Sequence, residues 1–420
     1  MVINQKIKAN VPSLFLMILL VGFPQISETI YTPSLPDIAK TLSTSDELVQ
    51  FTLSIYFTGF AVGVSLWGIL ADRYGRRPAL IGGIVLYTLA SLGCFLSYSI
   101  ESILFFRFFQ AFGASTGSIV GMTLIRDIYT GTDRSKAFSS IGAALSLSPA
   151  FGPMIGGAVD QFFGWRANFL VLVMMGIVLI LSTGLRLRET RPSSIQVLST
   201  REFFDLALRL CTDKKVLRCA LLIGACNGLI FSYYSEAPFV FINMLGLSAG
   251  QYGLLGLVVA GATLTASALS HRLNSHLPAE KIIGLGVAVV LLGVGFLSVL
   301  SHIEFEGGSM ISSTHTQFAS VIRIVASIGV IFVGIGMIIP NTISIALIND
   351  QSAIGTAGSI FGLIYYLLIS GFTALMGLLH DGTIHAMLNS FLFLEVLMLP
   401  SGISGFFIRR TSLKVENFRS

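Results

Sequence analysis

Apolar residues gather into twelve stretches along the chain, each long enough for a helix to cross a bilayer, which takes ~20 residues. They fall near residues 11–35, 48–71, 78–99, 102–125, 137–159, 166–186, 217–243, 250–270, 282–303, 317–348, 355–379 and 384–408. The longest hydrophilic interval, from Arg186 to Arg218, leaves six stretches on either side. The pattern predicts an all-α membrane protein with twelve transmembrane helices. It would form an N-terminal six-helix bundle over 1–186, a cytoplasmic linker over 187–216 and a C-terminal six-helix bundle over 217–420. Around Phe203–Leu210 the linker fits either a short amphipathic helix on the inner leaflet or a solvated strand of chain. The tenth stretch is long, and whether its end from Pro340 to Ile348 spans the bilayer is left open. Lys6 and Lys8 ahead of the first stretch suit a signal peptide, but Phe23-Pro24, Glu28 and the Pro33/Pro36 pair follow with no small-x-small cleavage site. A retained first helix is expected.

Composition agrees and narrows the class. Of 420 residues, 54% are hydrophobic and 11% charged, against ~25% charged in a soluble domain. That is too little charge to solvate a globule of this size, which disfavours a soluble enzyme, a disordered chain and a nucleic-acid binder. Forty-three glycines suit closely packed transmembrane helices. The net charge of +5 matters through its placement. With the N-terminus inside, 22 of the 26 Lys and Arg fall in inner loops and termini, and only Lys40 and Arg166 in outer ones. This asymmetry predicts both termini in the cytoplasm. Trp67 and Trp165 fall near span ends, where interfacial anchors sit. The four cysteines lack metal-ligand spacing and read as packing residues, and the six histidines lie at or near loops, where solvated roles are the default.

Features of the first half recur in the second. Leu70-Ala71-Asp72-Arg73 matches Leu269-Ser270-His271-Arg272, Ser27-Glu28 with Pro33 matches Ser235-Glu236 with Pro238, and Arg107 with Gly113 matches Arg323 with Gly329. The offsets drift, so loop lengths differ, but with the six-linker-six layout a duplicated architecture is expected.

Four constellations carry candidate chemistry. Gly68-x-Leu70-x-Asp72-Arg73-x-Gly75-Arg76-Arg77 joins the second and third stretches. There Asp72 can pair with Arg76 or Arg77 or cap the next helix, Gly75 permits a tight turn, and the cluster can latch one conformation. Simple positive-inside decoration is the competing reading. Ser148-Pro149-Ala150-Phe151-Gly152-Pro153-Met154-Ile155-Gly156-Gly157 lies in the fifth stretch. Its prolines remove backbone donors, and Gly152, Gly156 and Gly157 let a neighbouring helix approach; an ordinary kinked helix is the alternative. Arg107 opens the run to Gly113 in the fourth stretch, with Gln110 one turn on. A cation at the bilayer centre costs about 2.5–3.5 kcal/mol on insertion scales, so it is either functional or snorkelling. Tyr31-Thr32-Pro33-Ser34-Leu35-Pro36-Asp37 closes the first stretch, and Glu236-Ala237-Pro238-Phe239 lies in the seventh. Three carboxylates, Glu28, Glu236 and Glu395, sit inside apolar stretches. Removal from water disfavours a carboxylate's charged form, which suits such a group to bind and release a proton. No Gly-Lys-Ser/Thr phosphate loop, metal cluster or Gly-x-Ser-x-Gly elbow is present, so nothing here points to an enzyme, and any transport would be gradient-driven.

The loop from Gly68 to Arg77 resembles the signature of the major facilitator superfamily. The Gly-Pro-x-x-Gly-Gly run at 152–157 is similar to that of its drug:proton antiporter branch. The Tyr31–Ala39 and Glu236–Ile242 runs look like the bicyclomycin/chloramphenicol-resistance group. The resemblance covers about residues 11–408. It implies two pseudo-symmetric six-helix bundles around a central cavity and alternating access. It further implies export of a drug or other amphipathic small molecule in exchange for protons, without a cofactor, by a monomer in a bacterial inner membrane. Proton coupling and substrate contact would fall to Glu28, Glu236, Arg107, Tyr31 and Gln110. Gating would fall to Gly68, Asp72, Arg73, Gly75, Arg76 and Arg77, and the helix-five seam to Gly152, Pro153, Gly156 and Gly157. One departure stands out: the family's acid two residues before the Tyr is Thr29 here, and Glu28 lies ~100° around the helix. A proton-coupled nutrient importer on the same fold and a non-transporting receptor or scaffold are the alternative readings.

Overall fold

The computed structural model describes residues 13–191, 200–305, 314–347 and 354–407. Lys6, Lys8, Ile348 and the cations from Arg409 to Arg419 lie outside these. Among the described residues, twelve helices are long and apolar enough to cross a membrane. In chain order the spans are Leu14–Leu42, Asp46–Tyr74, Arg76–Phe95, Ile100–Ile128, Gly131–Phe163, Trp165–Arg186, Lys214–Met244, Ala249–Asn274, Ala279–His302, Gln317–Ala346, Thr356–Leu379 and Ile384–Ile403. The tenth continues as helix through Pro340 to Ala346. Ser45 and Ser99 cap spans two and four by accepting from the Leu48 and Ser102 amides at 3.3 Å each. Gly75, at φ 112°, turns span two directly into span three.

Proline reshapes the ends of the two repeat mates, spans one and seven. Span one breaks into a 3₁₀ turn at Thr32–Ser34 and resumes as Leu35–Leu42, with Pro33 and Pro36 in first-turn positions where a missing N–H costs nothing. Span seven is α-helical to Pro238 and then widens into a π-helical segment, Phe239–Met244.

The packing within each half repeats. Span one lies against spans four, five and six, and span seven against ten, eleven and twelve; spans three and four pair closely, as do nine and ten. The halves meet through two symmetry-related pairs, span two with span eleven and span five with span eight. Along the first pair, Ser54 and Ser370 exchange hydroxyl-to-carbonyl hydrogen bonds at 2.9 and 2.8 Å, and Thr58 bonds Ser370 at 2.7 Å.

Both Trp residues are inside the N-terminal half rather than at a lipid interface. Trp67 is 9% exposed, donates to the Phe112 carbonyl at 2.8 Å and packs on its ring; Trp165 is 2% exposed. Span-end position alone could not distinguish an interfacial face from a buried one. The linker forms a helix, Thr200–Thr212, whose Leu210 is buried against Val216, Ile223 and Phe361, while Phe204 and Leu208 stay exposed. Its apolar side is thus docked on the C-terminal half. Cys94, Cys219 and Cys226 are buried and Cys211 is exposed.

Candidate functional site

A cavity of about 670 Å³ lies between the two halves, within the size range of small-molecule sites. Asp72, Arg76, Arg126 and Phe203 line its mouth, so it opens on the side that carries the linker. Deeper walls are apolar and aromatic, with Met122, Phe361, Tyr365 and Tyr366, and the polar groups Gln25 and Asn227. On the opposite side the halves are sealed. The Gln161 Oε1 accepts from the Ser248 hydroxyl and the Gly250 amide, each at 3.2 Å.

The glycines of the helix-five run make both of that helix's close contacts. A Cβ on Gly152 would meet the Thr29 hydroxyl at 1.9 Å, and one on Gly156 the Ile30 carbonyl oxygen at 1.6 Å, so both face span one. Gly157 faces the other way: its Cβ would lie 2.2 Å from the Ala249 carbonyl of span eight. Pro153 offers its carbonyl to the same interface, against Gly253. One short run therefore packs span five onto its own half and onto the opposite half.

This seam settles the orientation of Glu28. The Thr29 side chain lies against Gly152. Glu28, 8% exposed, is turned from it, one helical turn beyond Gln25 and further from the mouth. Its charge acts on Arg107, on Tyr56, and across the interface on Tyr234, Tyr365 and Tyr366. Glu28 therefore lies outside the lining of the cavity, and its charge reaches tyrosines of both halves.

Arg107 is fully buried. Its guanidinium carbon lies 4.0 Å over the Tyr31 ring and 4.2 Å over the Tyr56 ring. It donates to Gln110 Oε1 at 2.6 Å and to the Ser27 carbonyl at 3.4 Å. Gln110 in turn donates to Ser91 at 2.7 Å, and the Tyr31 and Thr52 hydroxyls bond at 2.8 Å. The planar fork between two ring faces is an arrangement that lysine cannot copy. Arg107, Tyr31 and Gln110 thus form one network inside the N-terminal half, tied to spans two and three. Arg323, the repeat mate, is exposed, so the two cations share a sequence place and not an environment.

Glu236 does not line the cavity. It is fully buried at the sealed end, where Gln50 Nε2 donates to its Oε2 at 2.8 Å and His380 Nδ1 lies 3.0 and 2.8 Å from its two oxygens. Ser235 donates to Gln50 Oε1 at 2.9 Å. The partners come from span two and from the end of span eleven. Sequence spacing placed Glu236 opposite Glu28, but the π-helical end of span seven and the contact with span two draw it into the seal opposite the linker side instead.

The loop between spans two and three is an ionic cluster. Arg76 pairs with Asp72 and also reaches Asp127 at 3.3 Å, at the end of span four. The Glu189 carboxylate, at the start of the linker, accepts from the Arg76 and Arg77 amides at 2.8 and 3.1 Å. Arg77 also donates to the Gly184 carbonyl at 2.7 Å. Partial burial works to raise the Glu189 pKa, but the amides of Arg191, Arg76, Arg77 and Thr190 outweigh it and hold the carboxyl below its ordinary range. Gly75 sits against this carboxylate, and a Cβ there would lie 2.5 Å from Glu189 Oε2. Gly68 faces Ser359 of span eleven, and Arg73 is exposed. Asp127, Glu189, Gln50 and His380 were not singled out from the sequence. None stands in a run with its partners, and only chain reversal across several spans brings them together.

Comparison with known proteins follows the same lines. A family model described as Major Facilitator Superfamily matches residues 15–377. An uncharacterized transporter of Rickettsia bellii is 34% identical over 93% of this chain and 95% of its own length. A bicyclomycin resistance protein homolog of Haemophilus influenzae is 27% identical over 83% and 86%. The solved structure of the E. coli xylose transporter XylE, partially occluded and inward open, superposes with a TM-score of 0.72 over 95% of this chain and 97% of that one, at 13% identity. With twelve spans in two related bundles and a cavity between them, the chain belongs to the Major Facilitator Superfamily, as a multi-pass membrane transporter and not an enzyme.

Proposed function

We propose that this transporter exports amphipathic small molecules, drugs among them, in exchange for protons. The linker side is the cytoplasmic face, so the cavity is open inward. The carrying observation is a buried Glu28 one helical turn beyond Gln25 of an apolar, tyrosine-walled cavity that opens on the cation-rich side. Substrate entering that cavity comes up against the wall of Tyr365 and Tyr366, beyond which Glu28 holds its proton. Arg107 sets the field around Glu28. Substrate arrival favours proton release; the carrier rocks outward, releases substrate, takes up a proton from outside and returns. A membrane potential supplies ~2.3 kcal/mol per charge per 100 mV and each pH unit about 1.4 kcal/mol, so two or three such units sustain about 100-fold substrate gradients. The names of relatives such as the bicyclomycin resistance homolog support export. So does the glycine seam, which holds spans five and eight close on the outer side.

Everted vesicles test this. A transported drug should cause proton release from energised vesicles bearing the wild type. Glu28→Gln should retain drug binding and lose proton-coupled uptake. Wild-type coupling in Glu28→Gln would refute the role of Glu28, and uptake into intact cells in place of depletion would refute export.

A further inference from the structure

We infer that His380 is the residue through which the outer seal takes up a proton: the halves close on the outer side around a protonated imidazole clamped between Glu236 and Asp46. The inference rests on the proton-coupled reading above. The imidazole is bracketed by carboxylates on both ring nitrogens. Nδ1 lies 2.8 Å from Glu236 Oε2, and Nε2 lies 3.5 Å from Asp46 Oδ2. An imidazolium offers an N–H toward both carboxylates, whereas the neutral ring can offer only one. Gln50 Nε2 donates to Glu236 Oε2 at 2.8 Å and also lies 3.0 Å from His380 Nδ1, a contact that suits the deprotonated ring; once protonated, Nδ1 gives its proton to Glu236 instead.

The groups belong to different bodies. Glu236 and His380 come from spans seven and eleven of the C-terminal half, and Asp46 and Gln50 from span two of the N-terminal half. The clamp exists only while the halves touch on this side. It also spans the boundary between solvent and interior: the Asp46 side chain is 38% exposed, that of His380 10%, and that of Glu236 0%. Phe239 covers the ring at 5.1 Å. Asp381, the neighbour in sequence, is engaged with the Thr383 amide and hydroxyl at 2.8 and 2.7 Å and does not contribute.

Closure changes the proton affinity of the ring. Burial works to lower it, but the hydrogen bond and charge of Glu236, with those of Asp46, outweigh burial and hold it above the ordinary histidine value. Open, the histidine titrates near its usual ~6.5. Closure is therefore fully favoured below the open-state pKa and loses that contribution as pH rises through the higher closed-state pKa. The outward-facing carrier thus returns inward more readily at low external pH, the direction that antiport requires.

The test is a distance between spin labels on Lys40→Cys and Leu254→Cys, at the outer ends of spans one and eight, in nanodiscs with Cys211→Ser and no substrate. In the wild type the short, closed distance should dominate near pH ~5 and give way to a longer one toward pH ~9, the closed-to-open ratio falling about tenfold per unit of raised affinity. His380→Gln should flatten this response. Glu236→Gln, which keeps the histidine, should shift its midpoint toward ~6.5. A wild-type distribution unchanged across that range, or the same response in His380→Gln as in the wild type, overturns the inference. The measurement needs no transport, so its failure leaves drug efflux standing. Loss of efflux with an intact pH response would overturn the export reading instead.

Discussion

The glycine seam gives a prediction whose magnitude follows from the coordinates. In Gly156→Ala the new methyl would sit 1.6 Å from the Ile30 carbonyl oxygen and 2.6 Å from its carbon. Ordinary contact needs about 3.4 Å, so spans one and five must part by nearly 2 Å, and the obstacle is backbone, which has no rotamer to yield. Overpacking of this kind costs about 1–3 kcal/mol, and a rigid obstacle places it at the upper end. Alanine also gains about 1 kcal/mol over glycine in a helix, which partly offsets the loss. Gly261→Ala in span eight is the control, because nothing lies within 4 Å of the Cβ it would add. The two substitutions share the helical gain and differ only in the clash. Trp67 and Trp165, both buried in the N-terminal half, report unfolding of purified protein by fluorescence. Gly156→Ala should lower the midpoint by about 2 °C, at about 1 °C per kcal/mol for a 420-residue chain, and Gly261→Ala should leave it level or raise it. A Gly156→Ala protein as stable as Gly261→Ala would refute the claim that the run exists to bring span five against span one.

Two further substitutions probe the polar clusters. Arg107→Lys keeps the charge but loses the planar stacking between Tyr31 and Tyr56, and should cost about 2–4 kcal/mol of stability together with transport; equal melting and efflux would show that charge alone suffices. Glu189→Gln weakens the acceptor for the Arg76 and Arg77 amides, so their hydrogen exchange should quicken. Because the Glu189 pKa is depressed, the wild type should show the same quickening only in acid, below the ordinary value of about 4.3; equal exchange rates at neutral pH would refute the tether.

Span number, the two-half layout and the seam were legible because they are carried by local runs. A bilayer forces every crossing segment to be helical and apolar, so hydropathy alone locates the spans. The few charges left inside, Arg107, Glu28 and Glu236, stood out for the same reason. The environments of these charges were not legible. Arg107 and Arg323 match in sequence, yet one is sandwiched by tyrosines and the other lies on the surface, because only the first half supplies Tyr31 and Tyr56 around it. His380 reads as a loop residue until span two of the other half brings Asp46 and Gln50 to it. Asp127 and Glu189 are ordinary linker-side acids until chain reversal sets both on Arg76.

Local chemistry thus dictated the spans and their close-packed glycines, since each depends on neighbours a helical turn away. Partner choice across the halves, which leaves Glu28 beyond the cavity lining and draws Glu236 into the seal opposite the linker, depends on rotations of about 100° per residue and on where two separate bundles touch. A one-residue displacement, Glu28 for an acid at Thr29, is small along the chain. In the packed protein it separates a side chain whose charge reaches four tyrosines from one that lies against Gly152.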